Sequence, residues 1–154
     1  MTTKESDSEI VKEFIYKIIN NDDGCNKIID VMKQDFNGLC FANLVDFDME
    51  YGHRRDVAGY GKAINAFDKY ITEFKKLLNE DDILFITADH GNDPTWIGSD
   101  HTREKVPLLI YSKAFKNTGI LPDEDTFACM SSTIADIFNV ENTKLGNSIL
   151  DKLK

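Results

Sequence analysis

The chain of 154 residues contains three histidines, His53, His90 and His101, and each stands near an aspartate. The three patterns are Asp46-Phe47-Asp48-Met49-Glu50-Tyr51-Gly52-His53, Asp89-His90-Gly91 and Asp100-His101-Thr102. Imidazole nitrogens mixed with carboxylate oxygens, and no thiolate, suit zinc, manganese or iron better than calcium or magnesium. A single such pair is more often a surface histidine beside a turn-capping acid. Three pairs that use every histidine present reverse that preference, and the candidate ligands are Asp48, His53, Asp89, His90 and His101. Five groups are too many for one three-ligand catalytic ion and few for two. Paired ions suit phosphoryl transfer, because one activates a nucleophile while the other stabilises a leaving or phosphate oxygen.

Other chemistries have less support. There is no GxSxG elbow for serine–histidine hydrolysis, and neither the Walker pattern nor GxGxxG occurs. Arg54, Arg55 and Arg103 flank the candidate ligands. They could clamp a phosphate or simply pair with neighbouring acids such as Asp56 and Glu104. Trp96 is expected to pack its loop or to border a sugar site. Gly52 and Gly91 stand where a Cβ would obstruct the backbone, and Tyr51 reads as structural.

The elements that must position these groups follow from the apolar spacing. Ile10, Val11, Phe14, Ile15, Ile18 and Ile19 predict a helix over 8–20, ended by the Asn/Asp/Gly cluster that follows. A short second helix carries Ile28, Ile29 and Met32. The near-continuous apolar run 39–45 predicts a strand covered on both faces. A long helix spans 56–78, with Val57, Ile64, Phe67, Ile71, Phe74, Leu77 and Leu78 in period. Strands are expected over 83–87 and 106–111, around an Asp/Gly/Pro-rich loop at 88–105. A last helix over 126–138 turns Met130, Ile134, Ile137 and Phe138 inward. This order implies an α/β unit with a mostly parallel sheet flanked by helices. The first two His/Asp clusters then follow the carboxyl ends of strands, the edge where such sheets bind ligands. The third lies in a loop that can fold back to the same edge.

Composition bounds the rest. With 27 acidic against 18 basic residues the formal charge is −9, and 42% hydrophobic with 29% charged residues is ordinary for a soluble globular protein. No apolar run approaches the ~18 residues that span a bilayer, and the polar start lacks a signal-peptide layout. The acidic balance argues against a nucleic-acid partner. It also means that an anionic substrate needs local positive charge, which a metal would supply. Cys25, Cys40 and Cys129 form no CxxC pair and read as reduced apolar fillers of a cytosolic protein.

Three stretches together resemble the phosphopentomutase family of the alkaline phosphatase superfamily. They are Asn43-Leu44-Val45-Asp46-Phe47-Asp48, Tyr51-Gly52-His53-Arg54-Arg55-Asp56, and Thr87-Ala88-Asp89-His90-Gly91 through Asp100-His101-Thr102-Arg103-Glu104. Asp-His-Gly alone is specific only to the superfamily; with Asp93-Pro94-Thr95-Trp96 and His-Thr-Arg-Glu-x-Val-Pro the likeness narrows, and it runs from about Asn21 onward. The resemblance implies an alkaline-phosphatase-like core and an isomerase that interconverts (deoxy)ribose 1-phosphate and 5-phosphate in the cytoplasm, in nucleoside salvage. It implies two manganese ions in the complete enzyme and one in this chain. Asp48, His53 and His101 would hold one ion and Asp89 and His90 contribute to the other, with Arg103 near the substrate.

Family members are more than twice as long. They carry a first-strand aspartate, a threonine nucleophile and a cap that have no counterpart before Asp48. The chain therefore reads as a C-terminal portion of the core over 21–154, with 1–20 poorly matched, no catalytic threonine of its own and no turnover alone. Its expected partners are a phosphorylated pentose and either a complementing N-terminal piece or a second copy, with no nucleic acid and no membrane. The alternatives are a fragment like cofactor-independent phosphoglycerate mutase and a metal-binding remnant without catalysis.

Overall fold

The computed structural model describes residues 16–34, 36–141 and 145–153. Asn20 lies in extended backbone (φ −157°), and its side-chain oxygen accepts from the Asp23 N–H at 2.8 Å. That cap opens α1 (Asn21–Met32), with Asp22 and Asp23 placed against the positive end of the helix dipole. The polar cluster read above as a helix stop is thus a helix start, because Asn and Asp side chains that bond backbone N–H groups serve caps as readily as turns. Most of the helix expected over 8–20 lies outside the described residues, and residues 16–20 are not helical.

Two reciprocal bonds tie the start of α1 to the next segment. Asn21 N–H donates to Asp46 Oδ2 at 2.8 Å, and Asp46 N–H donates to Asn21 Oδ1 at 3.0 Å. A π-helical turn, Phe47–Gly52, follows Asp46 and leads into α2 (Val57–Leu77). Asp56 caps α2 through the Gly59 N–H at 2.8 Å. The ring of Phe47 packs edge-on to Phe67 and tilted to Tyr60, both at 5.9 Å, and Phe67 meets the buried Phe74 at 6.4 Å. This aromatic row along one face of α2 holds the π turn in place. Val57 and Ile64, in period with that row, are each 50% exposed instead of inward.

β1 (Leu84–Thr87) and β2 (Leu108–Tyr111) pair antiparallel, with Leu84 opposite Tyr111 and Thr87 opposite Leu108. Lys113 anchors this hairpin to the end of α2, donating to the Leu78 carbonyl, and Lys75 lies 4.4 Å above the Tyr111 ring. α3 (Ala128–Ile137) buries Cys129, Ser132, Thr133 and Ala135. Ile149, fully buried, donates its N–H to Thr133 Oγ1 at 3.0 Å, so the C-terminal segment covers that face. Ile137 and Phe138, expected inward, are 36% and 39% exposed. The helix has turned its small and hydroxylated residues to the tail, which can approach closely and hydrogen-bond there.

Helices with a small sheet make the chain α/β, but two expectations fail. Residues 39–44 form no strand, and Leu39 and Phe41 are 60% and 84% exposed. The mostly parallel sheet is also not formed: the one ladder among the described residues is antiparallel. A strand persists where its N–H and C=O groups find a neighbouring backbone, and β1 and β2 spend theirs on each other. Cys40 is exposed, while Cys25 and Cys129 are buried fillers, with burial and the nearby Asp22 charge pushing the Cys25 thiol up to about 11. No helix among the described residues is long and apolar enough to cross a membrane.

Candidate metal centre

The π turn does the first piece of positioning. In an α-helix, residues five apart differ by roughly 140° around the axis, so Asp48 and His53 would diverge. Here the wider turn joins them through its own backbone bond, His53 N–H to Asp48 O at 2.9 Å. The side chains meet as well, with His53 Nε2 3.3 Å from Asp48 Oδ2. The long loop after β1 delivers the other half. His101 Nε2 lies 3.4 Å from Asp48 Oδ1 and 3.1 Å from His53 Nε2. The His90 ring stacks on His101 with centroids 3.7 Å apart, and the ligand atoms of Asp48, His90 and His101 all fall within 4.8 Å of one another.

This arrangement suits a cation. His53 Nδ1 faces the Ser99 carbonyl, which can only accept, so Nδ1 serves as the donor there and Nε2 is the ring atom turned into the cluster. His90 is oriented alike, with Nδ1 3.3 Å from the Gly91 carbonyl. Asp48 is held from behind by Asn92, whose Nδ2 donates to its Oδ1 at 2.5 Å. Ligand bonds of about 2.1 Å place donor atoms roughly 3.0–3.4 Å apart, which is the spacing found among Asp48, His53 and His101. Lone pairs so close to one another and to a carboxylate favour a positive charge between them. The Asp48 charge is felt outside the cluster too: together with burial, the larger cause, it raises the Tyr60 phenol above its ordinary range.

A model of the metalloenzyme superfamily matches residues 3–142. The chain belongs to the metalloenzyme superfamily. The phosphopentomutase of Agathobacter rectalis is 51% identical to it over 132 residues, which is 84% of this chain and 33% of that protein. The chain thus spans about a third of the length of the curated relative it matches.

Other candidates stand further from the centre of this cluster. Asp89 is 80% exposed, with its Oδ1 3.6 Å from His90 Nε2, and is not in the converging group. Arg103, Asp89 and His90 line an open cleft of about 1100 Å³ that also reaches Leu109 and Phe127. Arg54 pairs with Glu50 at 2.9 Å on the surface. Trp96 is 63% exposed and does not pack the loop as expected. Gly91 bears out the need for a missing side chain: its bridge to Thr102 would bring a Cβ within 2.7 Å of the Thr102 carbonyl.

Sequence reasoning missed three residues that shape the Asp48–His53–His101 cluster. Asn92 and the Ser99 carbonyl orient Asp48 and His53 from positions that belong to no ligand pattern. Arg55, weighed above as a phosphate clamp or a partner of Asp56, binds backbone carbonyls and Asn92. Asp46, two residues before Asp48 and chemically identical, is committed to Asn21. Only the fold separates the two aspartates.

Proposed function

We propose that this chain forms the metal-binding wall of a phosphopentomutase-like isomerase and holds one manganese ion through Asp48, His53 and His101. The observation that supports this most is the convergence of those three groups at 3.1–3.4 Å, with His53 Nε2 turned inward. His90, stacked on His101, and Asp89 beside it would contribute to a second ion in the complete enzyme. The substrate class is a phosphorylated (deoxy)ribose, and the setting is the cytoplasm. Bound manganese would supply positive charge for phosphate oxygens, offsetting the chain's acidity.

The chain's own residues then divide the work. Asp48 and His53 hold their places on the π turn, and Gly91 and Thr102 pin the two ends of the loop that carries His90 and His101. The Arg103 guanidinium, on the cleft wall, offers a fork to the substrate phosphate. By the family resemblance, the nucleophile would be supplied from outside this chain. Thr102 Oγ1 is engaged by Glu104 and the Asp93 N–H, and Thr87 Oγ1 bonds the Ala88 carbonyl. These contacts favour a chain that binds metal without turning over alone. The exposed Leu109 and Phe127 on the cleft wall suit a complementing segment or a second copy.

Calorimetric titration of the purified chain with manganese chloride, followed by incubation with ribose 1-phosphate, tests the proposal. Saturable binding near one ion per chain without 5-phosphate formation is expected. No heat at millimolar manganese rules out the metal site, and 5-phosphate formed by wild type but not by His53→Ala rules out the inactive reading.

A further inference from the structure

We infer that Arg55 is the positioning residue of the metal centre, setting two ligands it never touches; this rests on the reading of Asp48, His53 and His101 as ligands. Its backbone is the first sign. Arg55 adopts φ +54°, the left-handed region that a bulky residue occupies only when its surroundings demand it. That conformation lets the chain turn from the π turn into α2 while sending the guanidinium back under the 88–105 loop. There it donates to the Gly98 carbonyl through Nε. Nη1 donates to Gly52 O at 3.1 Å, Asn92 Oδ1 at 2.7 Å and Asp93 O at 2.8 Å, and Nη2 to Asp100 O at 2.7 Å.

Two of these contacts lead directly to ligands. The bond to Asn92 Oδ1 fixes which way that amide faces, and its Nδ2 is then aimed at Asp48 Oδ1. The bonds to Gly98 and Asp100 grip the backbone on both sides of Ser99, whose carbonyl holds His53 Nδ1. Asp100 also immediately precedes His101. One cation therefore orients a carboxylate through Asn92 and an imidazole through Ser99, and sets the origin of a second imidazole. The planar fork is essential, since a lysine ammonium on the same stem cannot reach acceptors on both sides of Ser99 and Asn92 together. With each of its three guanidinium nitrogens already bonded to a carbonyl or an amide oxygen, Arg55 is not placed as a phosphate clamp.

The test compares wild type, Arg55→Gln, Arg55→Lys and Asn92→Ala by manganese calorimetry. Electron paramagnetic resonance of bound manganese and far-UV circular dichroism melts accompany it. Loss of an outer partner typically weakens metal binding about 10–100-fold. That loss is expected for Arg55→Gln, at temperatures where its dichroism is still native, with Arg55→Lys recovering only part of it and a broadened manganese spectrum. Asn92→Ala, which breaks one of the two routes, is expected to lose less. Native affinity in both Arg55→Gln and Asn92→Ala overturns the inference while leaving the metal centre intact, as does full recovery by lysine. If Arg55→Gln does not fold, the spectra of Arg55→Lys and Asn92→Ala decide: wild-type spectra in both overturn the inference. Absence of manganese binding by wild type overturns the metal reading and this inference with it.

Discussion

Two Asp–His elements face the same centre but are held in different ways. Asp48 and His53 stand on a π turn clamped by Phe67 and Tyr60, and each has a partner behind it: Asn92 for the carboxylate, the Ser99 carbonyl for the ring. Asp89 and His90 follow the end of a two-stranded sheet, where Asp89 is 80% exposed and the His90 ring leans on His101 and its own neighbour's carbonyl. Ligand affinity depends on how little freedom remains to be lost when the ion arrives. The first element has lost it during folding; in the second, Asp89 has not.

That difference is open to direct attack. Asp48→Asn or His101→Ala is expected to reduce manganese affinity by more than ~100-fold, beyond what loss of an outer partner does. Asp89→Asn is expected to change it by less than about 3-fold, within the effect of a rim charge. Calorimetry on the three variants checks the contrast, and equal losses would erase it. Gly52→Ala comes next. Its Cβ would collide with Asn92 Nδ2 and come within 3.1 Å of the Phe47 carbonyl, so the backing of Asp48 must shift. About 1–3 kcal/mol of stability, typical of overpacking, should go with a weaker metal site, read by denaturant melts with and without manganese.

A smaller effect separates folding from binding. Asn20→Ala removes the α1 cap and is expected to cost about 1 kcal/mol with no change in metal affinity, since the hydrogen bonds that tie α1 to the Asp48 segment come from Asn21 and Asp46. The smallest effect concerns acid. Hydrogen bonds from Thr95, aided by the Arg55 charge, hold the Asp93 carboxyl below the usual carboxylate range. A lowered value means that its contribution to loop order is fully present above about pH 4. It is lost as pH falls through the folded value. Emission of Trp96, the single tryptophan, should report that loosening, and Asp93→Asn should remove it.

The same contrast explains what the sequence disclosed. His90 and His101 come together as motif and spacing suggested, because a loop between adjacent antiparallel strands must return to where it left. The 56–78 helix and the 83–87 strand were legible because their apolar residues repeat at the right period. The strand at 39–45 was not, since an apolar run says that a segment wants a neighbour, not that one is present. Nor could spacing show that Asp46 serves Asn21 while Asp48 serves the site. The π turn that pairs Asp48 with His53 has no periodic signature in six residues, and the left-handed Arg55 has none in one.

Diffraction from crystals soaked in manganese, recorded at the manganese edge, tests the central claim most directly. A single anomalous peak bounded by an Asp48 carboxylate oxygen, His53 Nε2 and His101 Nε2 is the expected result. No peak there, or one held by Asp89 and not by Asp48, would contradict it.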